Sequence, residues 1–256
     1  MIAMLDPKTL TVLVTGATAG FGAALCRRFA EAGSRVIATG RRAQRLDALK
    51  RELGDRCHTA VLDVRDRKAV DALVAGLPGG FANVNVAVAN AGLALGLEPA
   101  QKADLDDWDS MVATNINGLL YTVRAVLPGM VARDEGHVVL IGSIAGDYPY
   151  PGGNVYGGTK AFVKQFALNL RADLLGSNVR VTNIEPGMAE TEFALVRFKG
   201  DAGKAAAPYR GVHPMSPEEV AESVFWSCTL PRHVNINRLQ LMPVQQAFAP
   251  LAFHRR

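Results

Sequence analysis

Two side chains four residues apart, Tyr156 and Lys160, set the chemistry open to this chain. On a helix that spacing puts a phenol and an ammonium on one face, one turn apart. Upstream, the apolar run His137-Val138-Val139-Leu140-Ile141 reads as a short strand that delivers Ser143 at its carboxyl end. A hydroxyl, a phenol and an ammonium converging at one sheet edge suit the movement of a proton on and off an alcohol oxygen. A free tyrosine has a pKa of about 10, too high for a base near neutrality. The Lys160 ammonium is therefore expected to favour the phenolate and pull that value down, while Ser143 holds the substrate oxygen. The same four-residue spacing also describes a packed ring beside a snorkelling amine, so its weight depends on the rest of the chain.

The elements that must position these groups begin far upstream. Residues 9–15 are β-branched and apolar, a buried first strand. Gly16-Ala17-Thr18-Ala19-Gly20-Phe21-Gly22 follows, and then a helical composition from Ala23 to Ala30. Strand, glycine turn and helix in that order are the setting of a dinucleotide-binding loop. Glycine lets the backbone approach a pyrophosphate, and the helix N-terminus offers N–H groups to it. The alternative is an ordinary tight turn between strand and helix. Residues 35–39 form a second strand ending in Gly40-Arg41-Arg42. An acidic residue gripping the NAD ribose would stand at this junction, about 20 residues past the glycine turn. Two arginines stand there instead, and their planar, charged forks suit a 2′-phosphate. NADP is the expected cofactor, unless both arginines simply begin a solvated helix.

Further along, residues 43–53 read as a helix with Leu46, Leu49 and Leu53 on one face, and residues 58–62 as a third strand running into Asp63-Val64. Asp63 could accept a hydrogen bond from an adenine amino group or cap the next helix, over residues 70–77. A fourth strand over residues 84–89 leads into Asn90-Ala91-Gly92, small enough to lie close to a ribose. Residues 105–131 read as one long helix with Trp108, Met111, Val112, Ile116, Leu119 and Val123 on a buried face. Asn115 and Asn117 interrupt it. Such amides more often face solvent, though Asn115 could bend the helix and expose a carbonyl that holds a water beside Lys160. Residues 179–184 form a sixth strand ending near Pro186-Gly187, a break that fits a loop over a nucleotide, with Thr191 placed to meet a nicotinamide carboxamide. Residues 192–215 are polar and irregular, a substrate lid at about 190–215. A last helix over 217–230 and a strand over 238–242 close the pattern. Strand and helix alternate throughout, which implies a parallel sheet covered on both faces.

Composition narrows the partners. The 256 residues suffice for a single domain over 1–256, with no linker or repeat. A formal charge of +4 without a dense Lys/Arg block fits a small anionic ligand rather than nucleic acid. Cys26, Cys57 and Cys228 show neither metal-ligand spacing nor a disulfide framework, so no metal is expected and the thiols are read as reduced. Residues 1–8 lack the basic and apolar regions of a signal peptide, and no apolar run approaches a membrane span. A cytoplasmic protein is expected.

The marks Thr15-Gly16, Gly20-Phe21-Gly22, Asn90-Ala91-Gly92, Asn115, Ser143, Tyr156 with Lys160, and Pro186-Gly187 with Thr191 resemble the short-chain dehydrogenase/reductase family over essentially the whole chain. The resemblance implies an α/β, Rossmann-type doubly wound fold with a seven-stranded, mostly parallel sheet, and a homotetramer. It implies a catalytic tetrad of Asn115, Ser143, Tyr156 and Lys160, with Lys160 also holding the nicotinamide ribose. Thr39-Gly40-Arg41-Arg42, Gly152-Gly153-Asn154-Val155-Tyr156 and Val196-Arg197-Phe198-Lys199-Gly200 are similar to a bacterial branch of that family that uses NADP on 3-hydroxy acids. Members oxidise L-serine, L-allo-threonine and 3-hydroxyisobutyrate and reduce malonic semialdehyde. One departure is Ala89, where the family usually has an asparagine that ties the fourth strand to its neighbours. A 3-hydroxy acid carries a carboxylate, so the lid should supply a cation from Arg197, Lys199 or Arg210, Arg197 first because a guanidinium grips a carboxylate with two donors. Two other readings remain on the same scaffold: a reductase of uncharged carbonyls or acyl thioesters, and a nucleotide sensor without turnover.

Overall fold

Seven runs, most of them apolar and rich in β-branched residues, become strands in the computed structural model, which describes residues 4–247. They are β1 (Thr11–Val14), β2 (Arg35–Gly40), β3 (Cys57–Val61), β4 (Val86–Ala89), β5 (Gly136–Ile141), β6 (Val179–Pro186) and β7 (Arg238–Leu241). All pair parallel, in the order β3-β2-β1-β4-β5-β6-β7. Parallel neighbours need long crossovers, and helices supply them: α1 (Gly20–Glu31), α2 (Ala43–Leu53), α3 (Arg67–Ala75), α4 (Leu105–Val112), α5 (Leu119–Ala132), α6 (Asn154–Asp173), the short α7 (Phe193–Arg197) and α8 (Ala202–Ala206), and α9 (Pro217–Thr229). The strand order reverses between β1 and β4, which opens a crevice at the carboxyl ends of those strands. Residues 1–3 and 248–256, the two ends of the expected 1–256 domain and the start of the 1–8 segment, lie outside the described residues. Among those described, no helix is long and apolar enough to cross a membrane.

Successive strand side chains face opposite ways, so the sheet buries two apolar layers. Val12 and Val14 pack with Leu25 and Phe29 of α1 and with Val224 and Phe225 of α9. Leu13 faces the other way and, with Val138 and Leu140, meets Leu119 and Val123 of α5 and Val163 and Leu170 of α6. Fully burying one such side chain stabilises the fold by ~1.5–3 kcal/mol, so these layers hold the strand ends firmly.

Several sequence-based expectations shift. Asp6 caps a tight turn at Pro7–Thr9, so the first strand starts at Thr11. Asp66, not Asp63, caps α3 through the Ala69 N–H. The lid folds into α7 and α8 where the sequence reads as irregular. The long helix is broken by a π-helical segment, Ala113–Gly118, between α4 and α5. A π turn takes in extra residues and rotates the face that follows. Met111, Leu119 and Val123 are buried as expected, whereas Val112 is 38 % exposed; of the two readings open for Asn115, the inward-facing one is found, at 2 % exposed.

Candidate active site

Ser143 follows β5 and opens a tight turn at Ile144–Gly146, its Oγ accepting the Ala145 N–H at 3.1 Å. Tyr156 and Lys160 occupy the first two turns of α6 and are 9 % and 7 % exposed. The Lys160 Nζ lies 5.9 Å from the centre of the Tyr156 ring and donates to the Ile141 carbonyl at 2.6 Å. Strand β5 thus fixes the ammonium as well as the serine.

Asn115 sits behind this pair. Its Nδ2 donates to the Leu93 carbonyl (2.8 Å) and to Thr159 Oγ1 (3.1 Å), and its Oδ1 accepts the Leu93 N–H (2.9 Å). Thr159 in turn donates to the Tyr156 carbonyl at 2.8 Å. The π turn therefore clamps the loop after β4 against α6, through the asparagine side chain. Gly92 lies over the clamp, where an added Cβ would stand 3.3 Å from Asn115 Oδ1 and 3.7 Å from Lys160 Nζ.

Burial governs the electrostatics here. It pushes the Tyr156 phenol up to about 12, more than a hydrogen bond with Ser143 draws it down; Tyr150 pushes it further up, and the Arg197 charge favours the phenolate. Burial lowers Lys160 to about 8. The sequence-based expectation that Lys160 would make the phenol acidic is thus reversed in this structure. Desolvation penalises both charged forms, and Lys160 spends its shortest contact on a backbone carbonyl.

A cleft of about 350 Å³ runs from this pair along the sheet edge to Arg41 and Arg42. Its floor is the glycine turn. Gly16 has a φ of +69°, and an added Cβ at Gly22 would stand 2.3 Å from the Gly16 carbonyl oxygen. Asn90 fastens this turn, its Nδ2 donating to the Thr15 carbonyl at 2.8 Å. Of the residues the sequence singles out, Thr18, Ala19, Gly20, Phe21, Val64, Gly92, Pro186 and Gly187 reach the wall, while Gly22 and Asn115 stand behind it. Asp63 also lines the cleft, held by Arg65 at 2.6 Å, whose guanidinium keeps the carboxyl below its usual range. Thr191 lies against Gly20 and accepts the Phe193 N–H at 3.0 Å.

The three lid cations part company. The Arg197 guanidinium lies 5.6 Å from the Tyr156 ring centre, held by the Gly96 carbonyl (3.1 Å) and the Tyr150 hydroxyl (2.8 Å). Lys199 is drawn off to Asp107 at 2.9 Å and Asp104 at 3.7 Å. Arg210 is exposed, and none of the three lines the cleft itself, so Arg197 is set apart by its approach to the Tyr156 ring. The structure also adds residues that the sequence reading missed. Tyr150 holds Arg197, Phe193 stands 5.6 Å from the Tyr156 ring, and Glu192 bridges Arg42 and Arg45. Only Tyr150 had a sequence signal, as an aromatic residue in the loop before Tyr156.

With that geometry in place, the family model described as short chain dehydrogenase matches residues 10–201. The chain belongs to the short-chain dehydrogenase/reductase family. It is 58 % identical over 248 residues to the NADP-dependent 3-hydroxy acid dehydrogenase of Escherichia coli (strain K12), covering 96 % of this chain and 100 % of that one. It is 54 % identical over 247 residues to sulfoacetaldehyde reductase 2 of Chromohalobacter salexigens, covering 95 % and 98 %. Among solved structures, the closed form of a serine dehydrogenase complexed with NADP+ superposes with a TM-score of 0.95 at 58 % identity, covering 96 % of this chain and 99 % of the other. Ala89 is buried in β4 and paired with Leu140, so the strand is seated there by its backbone and a small apolar side chain.

Proposed function

We propose that this protein is an NADP-dependent oxidoreductase that moves a hydride between NADP(H) and the hydroxyl-bearing C3 of small 3-hydroxy acids, serine, allo-threonine and 3-hydroxyisobutyrate among them, with malonic semialdehyde in reverse. One observation carries the reading: a buried phenol with Ser143 and Lys160 at hand has a guanidinium 5.6 Å from its ring. The phenol serves a hydroxyl or carbonyl, and the guanidinium serves an acid group whose central atom lies two bonds from the reacting carbon.

The residues fit the cofactor. The turn from Gly16 to Gly22 packs too closely for a Cβ at either glycine, and its Gly16, Thr18, Ala19 and Gly20 line the cleft where a pyrophosphate would lie. All line the one cleft, in which Arg41 and Arg42 would meet a 2′-phosphate, Asp63 and Val64 the adenine, and Asn90, Gly92, Pro186, Gly187 and Thr191 the ribose and nicotinamide. NADP, when bound, supplies or takes up the hydride. Tyr156 gives its proton to the carbonyl oxygen in reduction and takes the hydroxyl proton in oxidation. Ser143 Oγ steadies that oxygen, Lys160 presents its charge from a fixed anchor on β5, and Asn115 keeps the loop and α6 in register. Phe193 covers the ring and keeps water out, while Arg197 grips the carboxylate.

A sulfonate presents the same charge to Arg197, and a relative with 54 % identity is named a sulfoacetaldehyde reductase, so a sulfonate aldehyde is the second substrate class to test. Exposed Leu105 and Val112 on α4 and Leu168 on α6 favour assembly through these helices, as a homotetramer. The three free thiols are buried, consistent with a reducing cytoplasm. The test is a panel of malonic semialdehyde, sulfoacetaldehyde and a neutral diketone, each with NADPH and NADH. The anionic substrates with NADPH should dominate. Equal use of the diketone would overturn the carboxylate role, and NADPH binding without turnover of any substrate would make the protein a sensor.

A further inference from the structure

We infer that Glu192 is a cofactor-discriminating residue, whose carboxylate competes with the 2′-phosphate of NADP for Arg42 and Arg45. This rests on the reading of Arg41 and Arg42 as the phosphate-binding pair. Glu192 opens the lid, about 150 residues from the arginines, and places one oxygen on each: Oε2 accepts from Arg42 Nη1 at 2.9 Å and Oε1 from Arg45 Nη1 at 2.6 Å. Arg42 also spends its Nε on Thr18 Oγ1 at 3.0 Å, and Arg45 Nη1 reaches the Thr18 carbonyl at 3.2 Å. Two of the three donor nitrogens of Arg42 are therefore already committed before a phosphate arrives.

The contact is aimed into the site. Glu192, Arg41 and Arg42 line one cleft, and Thr191 beside Glu192 lies on Gly20 of the glycine turn. Arg41 makes no ion pair among the described residues, though the Asp63 charge lies within its reach, so a phosphate held by Arg41 and Arg42 would share Arg42 with the Glu192 carboxylate. The arginines hold the Glu192 carboxyl below its usual range, so the carboxylate form is the favoured one beside them. A 2′-phosphate and this carboxylate are like charges sharing one guanidinium, and like charges in contact disfavour each other. The 2′-hydroxyl of NAD carries no charge and feels no such competition. All three side chains are roughly half exposed, so the effect has the scale of a surface ion pair rather than a buried one.

The test measures cofactor dissociation constants by fluorescence titration with NADPH and NADH, without substrate. Glu192→Gln should tighten NADPH by about threefold to fivefold and leave NADH within about twofold, the scale of an exposed charge pair. Glu192→Asp should fall between Gln and wild type. Unchanged or weaker NADPH binding by Glu192→Gln overturns the competition, as does equal tightening of NADH. Arg42→Met separates this from the reading beneath it, because it should weaken NADPH and spare NADH. If Arg42→Met leaves that ratio unchanged, the phosphate-binding assignment fails, and the competition with it. If Arg42→Met discriminates and Glu192→Gln does not, the competition alone fails.

Discussion

The two ends of the cleft hold their cations in opposite ways. At the reaction end Lys160 is buried, bonded to a backbone carbonyl, and lowered to about 8 by desolvation. At the far end Arg42 and Arg45 are half exposed and share the Glu192 carboxylate. Burial makes charge itself expensive at the first end, so protonation is what varies there. At the second end charge is permanent, and what varies is its partner, under the screening of salt. The buried end should answer to pH and to removal of a single proton-bearing atom. The exposed end should answer to ionic strength and cofactor identity.

The largest effect expected is from Tyr156→Phe, which removes only the hydroxyl. Turnover should fall by about 10²–10⁴-fold, the usual range for a lost acid–base group, with NADPH binding retained. A loss of similar size from Arg42→Met at saturating cofactor would erase the distinction between the two ends.

The next concerns pH. The phenol is held up to about 12, so Tyr156 carries its proton at neutral pH and stands ready to donate it. Reduction of malonic semialdehyde should therefore stay level from about pH 6 to about pH 7.5. Oxidation of a 3-hydroxy acid needs the deprotonated phenol, whose share grows about tenfold per pH unit below its pKa. That rate should climb with pH and bend near 8, where Lys160 loses its charge. Initial rates in both directions check this, and a pH-independent oxidation would contradict a phenol held protonated.

The smallest effect belongs to the arginine end. Raising salt from about 0.05 to about 0.5 M should weaken NADPH binding several-fold while NADH binding hardly moves, because only the 2′-phosphate adds charge there. Equal weakening of both cofactors would place the salt-sensitive contact elsewhere in the cleft.

The same contrast explains what could be read from the sequence. Tyr156, Lys160 and Ser143 were legible because a helical repeat and a strand end are local, and the glycine turn was legible because its flanking strand and helix adjoin it. The direction of the Tyr156 shift was not. Sequence displays the Lys160 charge but not the burial that raises the phenol and lowers the ammonium. Asn115 was picked out, yet its clamp on Leu93 depends on a π turn that composition does not announce. Glu192 stayed invisible because its partners lie about 150 residues away and meet it only when the lid folds back over the glycine turn. The lid itself looked irregular because α7 and α8 are each only five residues long.

The account stands most directly on a guanidinium and a proton-bearing phenol serving one substrate. Arg197→Met should be assayed against malonic semialdehyde and a neutral diketone in parallel, with NADPH. Loss of a charge-assisted contact predicts a drop of about 10–100-fold in kcat/KM for the semialdehyde and little change for the diketone. Equal losses on both substrates would contradict the account.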